Sequence, residues 1–408
     1  MKGILKGLIL SICVCAVSLV LVSDQAWATA QWGKKYGLAC SSCHTVFPRL
    51  SYMGEKFMRD GYQFNQDGNE KKQEVSPRLV LDDLKHLFGI RLNLQPVVYT
   101  TNGITDEGDK EPHLTYGRTN WVQFFVAGSI YKNVSIFIEN EITDGGEAEF
   151  SWYKMGFHNL FGPQGTANLV IGQQAPMEWM PASGRLRVHP DSEAVAWGPK
   201  SSGVASEDDV GLLGPIPALS FYGYSGPVIY FAGASPGDDV ATDVNNENSF
   251  WAGARLEATG GEFEGSAVGV FGMWGTDAKE TDEVIPAVLD DDGTLLVPAS
   301  TTDERKNDWN RYSVQGLLRM GPLDLTAAWT FGKDDNWTLV STSEEEQEFD
   351  AYFLQAAYQF GSDKQYYAIA RYEDLSFDDE DLTASVDRQQ LVLSLWYLPM
   401  ENLKIGYS

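Results

Sequence analysis

The chain has 408 residues, of which 57 are acidic and 30 are basic, and its formal net charge is −27. A chain this acidic lacks the basic surface that nucleic acid requires, so nucleic acid is excluded as a partner. The mean hydropathy of −0.25 argues against a bundle of membrane-spanning helices. The many glycines and aromatic residues, with Gly 40, Phe 20, Tyr 18 and Trp 12, favour an antiparallel β protein.

Residues 1–28 have the three parts of a secretory signal peptide. A positively charged start precedes an apolar run, and a small-x-small cleavage motif ends at Ala28. Removal of this segment takes away two of the four cysteines, so the exported chain keeps only Cys40 and Cys43.

These two cysteines belong to Cys40-Ser41-Ser42-Cys43-His44, which is the attachment motif of a c-type haem. Two thiols on one helical turn can reach the two vinyl groups of one haem, and His44 then lies under the iron as the proximal ligand. The alternatives are a disulfide, half of a zinc site and a thioredoxin-like redox pair. A zinc site would need a second ligand pair at short spacing, and a redox pair would need a βαβ pattern. The sequence therefore predicts one covalent haem c held by Cys40, Cys43 and His44.

The distal ligand of the iron has several candidates. Met58 is placed first because the chain must turn back around the haem edge, and Met58 is farther along the chain from His44 than Met53 is. His86, another ligand from the following domain, or no distal ligand at all remain open. In a purely structural alternative, both methionines only pack against the haem. A haem domain over 29–85 is too short to enclose a haem alone, so another surface must complete its pocket.

From residue 86 to 408 the apolar residues recur with a period of two. In 134–143, for example, Val134, Ile136 and Ile138 alternate with polar side chains. Segments of about ten residues that alternate in this way are typical of transmembrane β-barrels. Fifteen strands are predicted, at 87–100, 120–131, 134–143, 149–159, 167–173, 214–222, 226–233, 249–258, 262–274, 310–319, 322–331, 348–360, 364–373, 387–397 and 402–408.

The connections between these strands alternate in length. Short turns are predicted at 132–133, 224–225, 260–261, 321–322 and 361–363. Long connections are predicted at 101–119, 174–213, 234–248, 275–309, 332–347 and 374–386. Outer-membrane barrels have short periplasmic turns and long extracellular loops. Because bacterial barrels close with an even number of strands, we expect sixteen. Either one strand escapes the pattern or, as we prefer, the last strand is missing from this chain. The first strand then starts at the periplasmic end, where the haem segment enters.

One long connection, 174–213, differs in composition from the others. It contains apolar and aromatic side chains, and we expect it to fold inward over the lumen. These residues are Met177, Trp179, Met180, His189 and Trp197.

The run WGKKYGLACSSCHTVFPRLSYMGEKFMRDGYQF, residues 32–64, resembles the fused outer-membrane cytochrome–porins of iron-oxidising bacteria. The shared features include an aromatic residue at Trp32, the haem motif, and Gly61 followed by Tyr62. Met53 departs from the pattern, which has a phenylalanine there, and Met58 departs where a basic residue is expected. Beyond this run, the chain resembles the family in architecture and length.

The resemblance implies a monohaem electron conduit in the bacterial outer membrane, surrounded by lipid. Iron(II), or another extracellular donor, would be oxidised at the cell surface. The electron would pass through a haem in the lumen or at the periplasmic side to a periplasmic c-type cytochrome, so an iron(II) oxidase activity is expected. Two alternatives remain: export of electrons to an extracellular acceptor, and a solute porin in which the haem is a structural plug.

Overall fold

A computed structural model describes most of the chain beyond the predicted signal peptide, which lies outside the described residues. The described ranges are 31–46, 49–64, 73–76, 79–81, 86–104, 110–143, 148–183, 212–236, 248–281, 288–289, 295–297, 303–336, 346–378, 388–400 and 403–407. Within these ranges, no helix is both long and apolar enough to cross a membrane.

The N-terminal part contains three short helices and two small β-hairpins. The helices are α1 (Gln31–Tyr36), α2 (Cys40–Cys43) and α3 (Tyr52–Arg59). The hairpin strands are β1 (His44–Val46) paired with β2 (Arg49–Leu50), and β3 (Gln73–Ser76) paired with β4 (Leu79–Leu81). Residues 31–46 and 49–64 are called the luminal segment below.

The rest of the described chain forms one antiparallel sheet of fifteen strands, which confirms the predicted mainly-β barrel fold. Its strands are β5 (Phe88–Ile104), β6 (Lys110–Tyr131), β7 (Val134–Thr143), β8 (Ala148–Phe157), β9 (Asn168–Gln174), β10 (Ile216–Ser225), β11 (Val228–Ser235), β12 (Ser249–Glu257), β13 (Ala267–Thr281), β16 (Asp303–Met320), β17 (Leu323–Asp334), β18 (Gln347–Phe360), β19 (Tyr366–Phe377), β20 (Arg388–Met400) and β21 (Leu403–Tyr407). Between β13 and β16, β14 (Val288–Leu289) and β15 (Leu295–Val297) pair as a separate hairpin. The strands neighbour each other in chain order, with β5 and β21 at the two ends of the sheet.

The two faces of this sheet have the polarity of a membrane barrel. On β16, Arg311, Ser313 and Gln315 are buried, whereas Tyr312 and Val314 between them are exposed. A soluble protein would bury the apolar set instead, so the exposed apolar face is the one that suits lipid. The polar, buried face therefore lines the lumen.

Most connections at one end of the barrel are short, and we call this the short-turn end. The exceptions there are 158–167 between β8 and β9, and 258–266 between β12 and β13, where the predicted two-residue turn at 260–261 is wrong. Asn133 and Gly321 adopt the left-handed backbone conformation that two-residue hairpin turns require, with φ of 57° and 58°. At the opposite end, two predicted loops are partly wrong. The β5–β6 pairing continues as far as Ile104 opposite Lys110, and the β13–β16 pairing as far as Thr281 opposite Asp303. Backbone hydrogen bonds between antiparallel strands need no apolar face, so these hairpins extend beyond the apolar alternation that located them.

Candidate functional site

The predicted haem-attachment residues lie together on one turn of helix. Cys40 and Cys43 are the two ends of α2, and His44 follows as the first residue of β1. Neither cysteine is in a disulfide, and both side chains are half-buried. Burial, and then the neighbouring Cys40 thiol, raise the pKa of the Cys43 thiol. Across the β1–β2 hairpin, His44 is the partner of Leu50.

Helix α3 begins directly against this turn. The backbone N–H of Ser51 donates to the carbonyl of Cys43 at 2.8 Å, and the Ser51 hydroxyl donates to the carbonyl of Ser42 at 2.9 Å. The same hydroxyl accepts from the N–H of Gly54 at 3.2 Å and so caps the helix. A Cβ at position 54 would collide with the Cys43 carbonyl, so glycine allows the close approach. The Cys40–His44 turn and α3 therefore form one unit.

An aromatic cluster packs around this unit. Trp32 stacks on Tyr62, with 4.9 Å between ring centroids, and lies edge-on to Phe57 at 5.3 Å. Tyr36 lies edge-on to Phe64 at 4.9 Å. Tyr62 has a φ of 60°, which is rare for a residue other than glycine. These rings give the luminal segment an apolar core that is packed mainly edge to face.

Buried ion pairs fasten the luminal segment to the inner face of the barrel. Arg49 contacts Asp324 on β17 at 2.8 Å, and Arg59 contacts Glu257 on β12 at 2.8 Å. Glu55 lies between two arginines of the wall, Arg255 on β12 and Arg319 on β16, at 2.7 Å from each. We call these residues the ion-pair cluster: Arg49, Glu55, Arg59, Arg255, Glu257, Arg319 and Asp324.

Every side chain of the ion-pair cluster is less than one-tenth exposed. Burial alone would raise the pKa of the Glu55 carboxyl, but the nearby guanidinium groups, Arg255 first, bring it below its ordinary value. Removing one member of a buried pair costs about 3–5 kcal/mol, because the other charge is left buried and uncompensated. The cluster therefore fixes the position of α3 rather than adding a weak surface attraction.

Hydrogen bonds extend this attachment to other strands. Tyr222 on β10 donates its hydroxyl to the carbonyl of Arg59 at 2.7 Å, and Tyr224 donates to the carboxylate of Asp60. On β18, the Gln359 amide donates to the carbonyl of Thr45 at 3.1 Å. These contacts, with the ion pairs on β12, β16 and β17, join the segment to the inner face of the sheet. They lie near the short-turn end of each strand.

The long connection after β9 also enters the lumen, as the sequence predicted. Trp179 stacks on Tyr222 with 4.3 Å between centroids, and Met177 and Met180 are fully buried. Glu178 pairs with Lys154 of β8, and the N–H of Ala182 donates to the side chain of Gln315 at 2.8 Å. Residues 175–183, called the inward loop below, therefore span from the β8–β10 wall to β16. His189 and Trp197 lie outside the described residues.

The luminal segment and the inward loop meet around a small cavity. Its volume is about 20 Å³, close to that of a single water site. Residues that line it include Met58, Tyr62, Phe137, His158, Trp179 and Tyr222.

His158 is buried at this cavity. Its two ring nitrogens contact the Ser135 hydroxyl at 2.7 Å and the Tyr222 hydroxyl at 3.1 Å. Burial lowers the pKa of His158 to about 4, so the imidazole is neutral at pH 7. A Cβ on Gly61, whose φ is 72°, would collide with the His158 ring.

The three distal-ligand candidates lie in different surroundings. Met58 is 9% exposed and faces the cavity that the barrel wall and Trp179 line, and His44 is not among the residues lining it. Met53, on the same helix, is 38% exposed. His86 is half-buried just before β5. The structure thus brings Cys40, Cys43 and His44 together, and it places Met58 against the wall.

The sequence reasoning did not single out the wall residues of the site. Arg255, Glu257, Arg319 and Asp324 share one signal, which is a charged side chain at an inward position beside a short turn. That signal marks the lumen, but it does not say which residue each charge meets. No pattern in the sequence marked His158 as a residue of the site.

Comparison with known proteins bears on the barrel alone. No family model and no curated protein matches the chain in sequence. Among solved structures, OmpF of Salmonella typhi, in a complex with daunomycin, is similar with a TM-score of 0.50 and 12% identity, over 80% of this chain and 88% of that one. An anion-selective porin from Comamonas acidovorans has a TM-score of 0.50 and 10% identity, over 77% of this chain and 83% of that one. The barrel has the porin fold.

Proposed function

We propose that this chain is an electron conduit of the bacterial outer membrane, which oxidises extracellular iron(II) and delivers the electron to a periplasmic c-type cytochrome. The observation that carries the proposal is the position of the Cys40–His44 turn. It lies on a segment that is ion-paired inside a porin-like barrel, through Glu55 and Arg319 among others. A barrel with an apolar outer face supports a location in outer-membrane lipid.

The residues of the turn fit a covalent haem c. Two cysteines that are not in a disulfide lie at the ends of one helical turn and are followed at once by a histidine, so they would supply both attachment points and one axial ligand. The aromatic cluster around Trp32, Tyr36 and Phe57 suits a flat apolar macrocycle. When bound there, a haem supplies one-electron redox chemistry. The chain's own part is to hold the group by Cys40, Cys43 and His44 and to complete its pocket with the barrel wall.

The two segments that pack against the inner face of the sheet support electron transfer over solute passage. The luminal segment contacts β10, β12, β16, β17 and β18, and the inward loop crosses to Gln315 on β16. Trp179 and Met58 line one cavity, so the two pieces meet inside the barrel. Electrons can cross a packed interior by tunnelling, whereas hydrated solutes need an open path.

A solute porin in which the haem is only a plug is the second candidate, and the porin fold favours it. Export of electrons to an extracellular acceptor is a third candidate, with the same topology. A conductance measurement distinguishes these candidates, because a solute porin conducts ions and the conduit conducts little or none. The reduction potential separates the two directions of electron flow, because a potential below that of the iron couple disfavours iron oxidation.

Stopped-flow spectroscopy with iron(II) tests the proposed reaction on the pure protein. We expect the oxidised haem spectrum to change to the reduced one when iron(II) is mixed in, and the Cys40→Ala/Cys43→Ala variant to show no such change. A wild-type haem that stays oxidised while a strong reductant reduces it would refute iron(II) as the donor.

The orientation in the membrane is tested by protease sites at the two ends of the barrel. A site placed at Asp291, between β14 and β15, is expected to be cut in intact cells, because it belongs to a long connection. A site at Ser362, in the turn between β18 and β19, is expected to be protected. Cleavage at Ser362 with protection at Asp291 would invert the topology and place the luminal segment at the outer face.

The proposed distal ligand, Met58, is tested against Met53 in single alanine variants. If Met58 ligates the iron, Met58→Ala lowers the midpoint potential and removes the thioether-to-iron absorption band, and Met53→Ala changes neither. Met58→Ala is also expected to cost about 2–5 kcal/mol of stability, because the side chain is buried. An unchanged band in Met58→Ala would leave Met58 as a packing residue and move the search to Met53 and His86.

A further inference from the structure

We propose that the buried charges of Glu55 and Arg319 tune the reduction potential of the group bound at Cys40–His44, in opposite directions. This inference rests on the proposed function, since it presupposes a haem on that turn. It adds a role for two residues of which one, Arg319, belongs to the barrel wall.

Both charges are linked to the ligand turn by single contacts. Arg319 donates to the carbonyl of Leu50 at 3.1 Å and to the carboxylate of Glu55 at 2.7 Å. Leu50 is the direct partner of His44 in the β1–β2 hairpin, where paired Cα atoms lie roughly 4.5–5.5 Å apart. Glu55 follows Gly54, the residue that packs on the Cys43 carbonyl. Thus one carboxylate and one guanidinium lie beside the turn that carries the axial histidine.

The surroundings make these charges effective over distance. Glu55 is 5% exposed and Arg319 is 7% exposed, so salt and water screen them weakly. The ion-pair cluster contains four guanidinium groups and three carboxylates, which leaves an excess of one positive charge. In the described part of the chain, the Nε atoms of Arg59, Arg255 and Arg319 are buried without a hydrogen-bond partner.

The sign of the effect follows from electrostatics. Reduction adds one negative charge at the iron, so a nearby positive charge stabilises the reduced state and raises the midpoint potential. A nearby carboxylate has the opposite effect. Removing Glu55 and removing Arg319 should therefore shift the midpoint potential in opposite directions.

The test is the midpoint potential of the haem-loaded protein in two variants that each remove one buried charge, measured by spectroelectrochemical titration. Glu55→Gln is expected to raise the potential, and Arg319→Gln is expected to lower it. Arg319→Lys keeps the positive charge and should shift the potential less than Arg319→Gln does. If Glu55→Gln does not fold, Glu257→Gln replaces it as a loss of negative charge, with a raised potential expected.

Arg311→Gln is the matched control. Arg311 is also a buried luminal arginine of β16, paired with Asp334 at 2.8 Å. It lies about 26 Å farther along the strand at ~3.3 Å per residue, so its replacement should leave the potential unchanged.

Two outcomes would overturn this inference alone, and a third would also overturn the proposed function. If the midpoint potential shifts in the same direction in Glu55→Gln and Arg319→Gln, the cause is loosening of the haem pocket and not charge. Shifts no larger than that of Arg311→Gln would show that the charges do not act on the iron. Absence of covalent haem from the wild-type protein would overturn the proposed function and this inference with it.

Discussion

Replacement of Cys40 and Cys43 by alanine is expected to remove all covalently bound haem. The two thiols occupy the ends of α2, and neither is consumed in a disulfide, so both are available for thioether bonds. On a haem-stained denaturing gel, the wild-type protein should give one stained band, and the band should vanish in Cys43→Ala. Ser41→Ala, on the same helical turn, should keep the stain. A stained band in the double-cysteine variant would contradict the assignment.

Deletion of the luminal segment is expected to convert a non-conducting protein into a conducting pore. The segment is held across the lumen by Arg49–Asp324, Arg59–Glu257 and the Glu55 pairs, so the full-length chain should show little or no conductance in a planar bilayer. A variant without residues 31–64 should conduct ions in steps of porin size.

The Cys40→Ala/Cys43→Ala variant separates the polypeptide from its haem in this measurement. Because the ion-pair cluster does not include the cysteines, this variant should remain closed. A full-length protein that conducts as freely as the deletion variant would favour a solute porin and contradict the occluded lumen.

Much of the barrel could be predicted from the sequence because its signal is local. Side chains of a strand alternate between lipid and lumen, so apolar residues such as Val134, Ile136 and Ile138 locate β7 without knowledge of its neighbours. The length of the strands could not be predicted in this way. The outer parts of β5 and β6 are paired by their backbones, and backbone pairing leaves no pattern in the side chains.

The attachment of the luminal segment could not be predicted, because its contacts join distant parts of the chain. Arg49 and Asp324 are 275 positions apart, and Arg59 and Glu257 are 198 apart. No local pattern connects such residues. The inward loop is an intermediate case. Its apolar composition predicted that it folds inward, whereas the stacking of Trp179 on Tyr222 required the structure.

Electron transfer across a membrane tests the central claim most directly. The protein is placed in liposomes that enclose ferricyanide, and iron(II) is added outside at neutral pH, where hydrolysis of iron(III) drives the reaction. We predict that the enclosed ferricyanide is reduced when the liposomes contain the wild-type protein, and that it stays oxidised with the Cys40→Ala/Cys43→Ala variant. Enclosed ferricyanide that stays oxidised with the haem-loaded wild-type protein, or that is reduced equally fast with the variant, would contradict a conduit through the Cys40–His44 site.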